Sequence, residues 1–166
     1  RLVALGALPA RPAPEGVQPI LGGACALEVY TDGGYCTADV DLALPHTPAV
    51  DRAFADLGFE EQGRFWLRAE LELLFEAPAP AGLPGETAPR TELTVDGLPI
   101  VVLGVEDLLI DRLRAWVHRK SDEDRRWAAR LVALHGDRMD WEYLRSRVAA
   151  EALERAALTE LDGGRR

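Results

Sequence analysis

Cysteine is scarce in this chain of 166 residues: there are two, Cys25 and Cys36, without metal-ligand spacing. That excludes a disulfide-framed secreted scaffold and a cysteine-built zinc knuckle, and it points to buried, reduced thiols in a cytoplasmic protein. Long apolar runs are missing too, so neither a membrane-spanning helix nor a secretory leader is expected. Positive charge is in deficit, with 19 Lys and Arg against 28 Asp and Glu, a net charge of −9. Such a balance argues against a broad surface tracking long nucleic acid, and leaves room for a small local basic site. Three histidines, His46, His118 and His135, are scattered, and no Ser-His or Cys-His pairing stands out. The chain opens on Arg1 rather than methionine, which suggests a natural N-terminus trimmed from the sequence.

What is present is globular: 48% hydrophobic and 28% charged residues, long enough for one well-buried domain with a helical appendage. Arg1 to Leu8 reads as the end of a helix, and Pro9, Pro12 and Pro14 enforce a loop. Val17 to Leu21 is a short buried strand and Ala24 to Tyr30 a helix. Asp32-Gly33-Gly34 is a turn, and Thr37 to Leu44 is a strand stopped by Pro45. Thr47-Pro48 caps a helix from Ala49 to Leu57 that Gly58 ends. Phe59 to Leu67 is extended, broken by Gly63, and Ala69 to Ala77 alternates as a strand. Residues 78 to 89 form a loop, and Thr91 to Leu103 a hairpin turning at Asp96-Gly97. Beyond Gly104 the pattern is helical, with Ser121 and Asp140 as caps, Gly136 as a stop, and a polar tail expected to fray.

Two features carry chemistry. Gly22-Gly23 lies between a strand and a helix, where backbone without side chains can approach a phosphate at a helix N-terminus. Downstream, Asp39 and Asp41 are two apart on a strand, so both point to one face, roughly 6.5 Å apart along the chain. Val40 and Leu42 turn the other way, into a core. Converging carboxylates suit a hard cation, Mg²⁺ or Mn²⁺. The plainer alternative is an edge strand with two solvated aspartates.

The run Gly22-Gly23, Ala26-Leu27, Tyr30-Thr31, Gly33, Thr37 and Asp39-Val40-Asp41-Leu42 resembles the minimal nucleotidyltransferase superfamily. Its toxin-type branch in abortive-infection toxin–antitoxin systems is the form it looks most like. The resemblance implies an α+β fold: a mixed β-sheet flanked by helices, with a C-terminal helical part. It implies a nucleotidyltransferase-like core over residues 1–103 and a helical region over 104–166 packed on it. Gly22 and Gly23 match the phosphate loop, and Asp39 and Asp41 the metal pair. A third carboxylate is expected from a neighbouring strand. Phe75-Glu76-Ala77-Pro78 matches the family's hydrophobic-Glu-x-Pro ending, which favours Glu76, with Glu72 next; solvent-facing glutamates are the bland reading. Asp107-Leu108 to Arg112-Leu113 resembles a family helix in which a lysine contacts nucleotide phosphate, a position where this chain carries arginine. Arg112 takes that position, unless it only pairs with Asp111 or Glu106. Lys120 is a second phosphate candidate, or else a solvated residue in a helix–helix turn.

The activity implied is Mg²⁺-dependent transfer of an NMP from an NTP to an acceptor left open between RNA, protein and small molecule. A toxin-like role with a cognate partner protein belongs to the same resemblance. The competing expectation is a catalytically degenerate fold that binds nucleotide or protein, in the manner of an antitoxin.

Overall fold

A computed structural model describes residues 18–35, 37, 39–77 and 88–163. The chain divides into two compact units, Arg1–Leu103 and Gly104–Arg166. The expected N-terminal helix end and its proline loop, Cys36, and most of the loop from 78 to 89 fall outside the described residues.

In the first unit, β1 (Ile20–Leu21) leads into α1 (Gly23–Tyr30) and then β2 (Asp39–Ala43). Next come α2 (Pro48–Asp56), β3 (Glu60–Gln62), β4 (Phe65–Arg68), β5 (Leu73–Glu76), β6 (Arg90–Val95) and β7 (Leu98–Leu103). The strands form one mixed sheet in the order β3-β4-β5-β2-β1-β7-β6. β2 runs parallel to β5 and β1 parallel to β7, while the remaining neighbours are antiparallel. This is the mixed α+β architecture the sequence implies.

Local chemistry explains the element ends. The Thr47 hydroxyl accepts the Val50 N–H at 3.3 Å, and Pro48 occupies the first helical position of α2. Asp96 and Gly97 both take positive φ, 52° and 77°, the requirement of a tight two-residue hairpin between β6 and β7. One face of the sheet is buried through Val40, Leu42, Trp66 and Phe75, with Phe54 stacked on Trp66 at 4.2 Å between ring centroids.

Of two extended readings, the first holds and gains a partner, and the second needs correction. Phe59 to Leu67 is a hairpin, β3 and β4 paired antiparallel around Gly63 at φ +67°. Its buried residues are Phe59 and Trp66, the latter flanked by the half-buried Phe65 and Leu67. Ala69 to Ala77 is not one strand: Ala69–Leu71 is a 3₁₀ turn, Glu72 is left-handed at φ +53°, and β5 begins at Leu73. Arg68 pairs with Leu73 across the β4–β5 ladder, so the four residues between must reverse the chain.

The second unit is helical: α3 (Val105–Arg119), α4 (Asp122–His135), α5 (Trp141–Arg147) and α6 (Ala152–Asp162). Ser121 accepts the Asp124 N–H, Asp140 that of Tyr143, and Glu151 that of Glu154. Leu108, Leu113, Leu131 and Leu144 are fully buried. The segment after Ala150 forms a helix, α6, ended by Gly163 at φ +48°, and the end expected to fray lies mostly outside the described residues.

Candidate active site

Asp41 stands at the centre of the site. β2 alternates as its sequence requires: Val40 and Leu42 are buried, Asp41 half-buried and Asp39 exposed on the opposite face. Parallel pairing with β5 sets Asp39 opposite Leu74, Val40 opposite Phe75 and Asp41 opposite Glu76. Cross-strand partners share a face. Asp39, Asp41 and Glu76 therefore line one side of two neighbouring strands.

The glycine pair is tied to the same carboxylate. Gly22 caps α1, and its N–H donates to the Asp41 carbonyl at 2.9 Å. The Ala24 N–H, one of the open donors at the start of α1, donates to Asp41 Oδ2 at 3.0 Å. Gly23 adopts φ +49°, and a Cβ there would lie 2.0 Å from Asp41 Oδ2 and 2.6 Å from its Cγ. Both its backbone and the space beside it therefore require glycine. At Gly22 a Cβ would meet only the Asp41 carbonyl oxygen at 3.9 Å.

Glu76 is engaged by Arg64, Nη2 to Oε1 at 3.0 Å. Arg64 is largely exposed, and such an ion pair contributes only about 0–1 kcal/mol. Another cation can displace it at little cost. Glu72 is exposed and precedes β5, so it has no place in the ladder opposite Asp41. Arg112 and Lys120 belong to the second unit. The Arg112 guanidinium bonds Asp124 at 2.8 Å and pairs with Asp111; Lys120 caps α3 at φ +56°.

As donors, Asp39, Asp41 and Glu76 offer oxygen alone, with backbone N–H groups beside them, a set that fits Mg²⁺ or Mn²⁺. Their oxygens are not drawn together. Among the described residues, the sets whose ligand atoms all lie within 4.8 Å of one another are His46–Asp51–Glu61 and His118–Glu151–Glu154.

Sequence reasoning missed the buried carboxylates of the second unit. Glu106 accepts the Asp140 N–H at 3.0 Å, and Asp107 accepts the Tyr143 hydroxyl at 2.9 Å. Burial, then the hydrogen bond to Asp107 and its charge, push the Tyr143 phenol up to about 12. Glu154 takes Arg114 Nε at 3.1 Å and His118 Nε2 at 3.0 Å. Burial alone would push the Glu154 carboxyl up; the bonds from His118 and Arg114 outweigh it and hold the group below its usual value. The only signal was position: Glu106 and Asp107 fall in the first turn of α3, where the helix end favours negative charge.

No family model matches the chain, and no curated protein does. Solved structures do. An antigenic nucleotidyltransferase-like protein from Paracoccidioides brasiliensis superposes with a TM-score of 0.57 at 17% identity, covering 96% of this chain and 90% of the other. The fold is nucleotidyltransferase-like. The antibiotic-resistance factor ANT(2″)-Ia superposes on it as well. Its complex with adenylyl-2″-tobramycin gives a TM-score of 0.55 at 17% identity over 90% of this chain and 95% of that one. Its solution structure gives 0.53 at 16% identity over 96% and 89%. Among the described residues, no helix is long and apolar enough to cross a membrane.

Proposed function

We propose that the chain is a divalent-metal-dependent nucleotidyltransferase that moves an NMP from an NTP to a hydroxyl acceptor, and that the acceptor is a polycationic small molecule. One observation carries the transfer reading: the Asp41 carboxylate accepts the Ala24 N–H beside Gly22-Gly23, and Asp41 lies opposite Glu76 on the neighbouring strand. This arrangement supports a reading in which phosphate-facing backbone and cation-facing oxygens lie side by side.

Gly22 and Gly23 bring backbone within reach of the NTP phosphates. Asp39, Asp41 and Glu76 would hold Mg²⁺ or Mn²⁺, which supplies positive charge to the reacting α-phosphate and the leaving pyrophosphate. The acceptor hydroxyl gives up its proton to water and its oxygen bonds the α-phosphorus as the bond to the β-phosphate oxygen breaks and pyrophosphate leaves. By the sequence resemblance, Arg112 and Lys120 are further phosphate candidates, and Arg112 is engaged by Asp124 and Asp111.

Charge distribution supports a cationic acceptor. Residues 1–103 carry fifteen Asp and Glu against six Arg, while residues 104–166 carry thirteen acidic and thirteen basic residues. The whole net charge of −9 thus sits in the unit bearing the carboxylates, a field that repels RNA and concentrates polyamines. ANT(2″)-Ia, one of the similar folds, is seen with adenylyl-2″-tobramycin. The toxin-type branch and a cognate partner protein rest on the sequence resemblance alone.

A degenerate binding module is the second reading, favoured by Arg64 holding Glu76 and by the separated carboxylate oxygens. Pyrophosphate release, measured with each of the four NTPs, Mg²⁺, and either tobramycin and related aminoglycosides or RNA, separates these readings. Release requiring NTP and aminoglycoside together, and abolished in Asp41→Asn, is expected. Release with RNA alone would overturn the acceptor class. Nucleotide binding without release with any acceptor would favour the degenerate module.

A further inference from the structure

Away from the Asp41 face, three side chains of metal-ligating type gather around one buried tryptophan. Trp66 is fully buried and touches two candidate donors, while a third is its cross-strand partner. The His46 ring stacks on it, centroids 4.7 Å apart and planes 13° apart. Its indole N–H donates to Asp51 Oδ1 at 3.1 Å. Glu61 is its cross-strand partner on β3, so the Glu61 side chain leaves the same face of the hairpin. His46 Nε2 lies 3.6 Å from Asp51 Oδ1, and one ligand atom from each of the three residues falls within 4.8 Å of the others.

We infer that His46, Asp51 and Glu61 form a second metal site, selective for a transition-metal ion of the Zn²⁺ class over Mg²⁺. One imidazole nitrogen and two carboxylate oxygens suit Zn²⁺ and its neighbours, whereas Mg²⁺ takes oxygen alone. Three protein ligands leave coordination positions open to water or another donor. The backbone presents the histidine in a fixed place, between Pro45 and the Thr47-Pro48 cap of α2. The Trp66 N–H bond to Asp51 is the outer-shell contact that fixes a ligating carboxylate before metal arrives. His46 and Glu61 face solvent, which gives the ion a path in. The other cluster, His118–Glu151–Glu154, lacks this logic: Arg114 already occupies the Glu154 carboxylate, and its charge opposes a cation.

Calorimetric titration of ZnCl₂ tests the site, in excess Mg²⁺, on the full chain carrying Asp39→Asn and Asp41→Asn so that the β2 carboxylates contribute nothing. One saturable Zn²⁺ site is expected. Adding His46→Ala or Glu61→Gln should weaken it at least about tenfold, the scale on which even outer-shell losses act, and His118→Ala should leave it intact. Co²⁺ bound in place of Zn²⁺ should show visible absorption that His46→Ala removes. Absence of Zn²⁺ binding, binding indifferent to both His46→Ala and Glu61→Gln, or binding lost in His118→Ala would overturn the proposal.

Discussion

Asp41 and Glu76 are direct partners across the parallel pair β2–β5, two carboxylates on one face at one level of the sheet. Like charges set opposite each other are unfavourable, and each is answered separately here, Asp41 by the Ala24 N–H and Glu76 by Arg64. A divalent ion would answer both at once. Asp41→Asn and Glu76→Gln are each expected to cut transfer about a hundredfold or more, equivalent to about 3 kcal/mol of transition-state stabilisation. Far-UV circular dichroism should be unchanged. Glu72→Gln separates the two glutamates: its activity should persist, because Glu72 lies outside the ladder.

Gly23 and Gly33 both hold positive φ, 49° and 76°, yet only Gly23 faces a side chain; nothing lies within 4 Å of a Cβ at Gly33. Alanine at either position costs about 1–2 kcal/mol of backbone strain. At Gly23 the added methyl also drives Asp41 off its position. Chemical denaturation should show both variants destabilised, Gly23→Ala more so. NTP-dependent stabilisation should vanish in Gly23→Ala alone.

Glu154 ties α6 to α3 through Arg114 and His118. Its carboxyl is held below the usual value near 4.5. A depressed folded-state value means the stabilisation is complete above the unfolded value and is lost as pH falls through the folded one. Glu154→Gln should therefore melt below the parent at pH 7, by about 1–3 kcal/mol for disrupted buried charge-assisted bonds. The gap should narrow as pH falls below the usual value near 4.5 and through the lower folded-state one. A gap that does not change with pH across the acid range would show that the contact is not electrostatic.

Tyr143 works in the opposite sense. Its phenol, pushed up to about 12, keeps the proton it donates to Asp107 well past the ordinary value of 10. Stability from this bond is complete below pH 10 and is lost as pH rises through about 12. Ultraviolet titration of the phenolates should show a component near pH 12 that Tyr143→Phe deletes.

Legibility in the sequence followed the range of the interaction. Thr47-Pro48, Asp96-Gly97, Ser121 and Asp140 act on backbone within three residues, and each element they bound is where the local chemistry places it. The Asp-x-Asp strand was equally legible, because alternation alone puts Val40 and Leu42 inside. Alternation misled at Ala69 to Glu72, since a polar turn with Glu70 and Glu72 outward mimics a half-exposed strand until Leu71 proves exposed too. Trp66 was passed over because its inward side is set by Phe75, its partner nine residues on in β5. The choice between Glu72 and Glu76 likewise needed the register with Asp41, which no single strand contains.

The central claim is that Gly22, Gly23, Asp39, Asp41 and Glu76 form a metal–nucleotide site, and thermal melting tests it most directly. The chain would be melted with each NTP, with and without Mg²⁺, beside an Asp39→Asn/Asp41→Asn double variant. A rise in melting temperature requiring NTP and Mg²⁺ together, and absent from the variant, is the predicted result. At a hundredfold excess of NTP over its dissociation constant the stabilisation amounts to about 2.7 kcal/mol. No rise with any NTP at millimolar concentration, or an equal rise in the double variant, would contradict it.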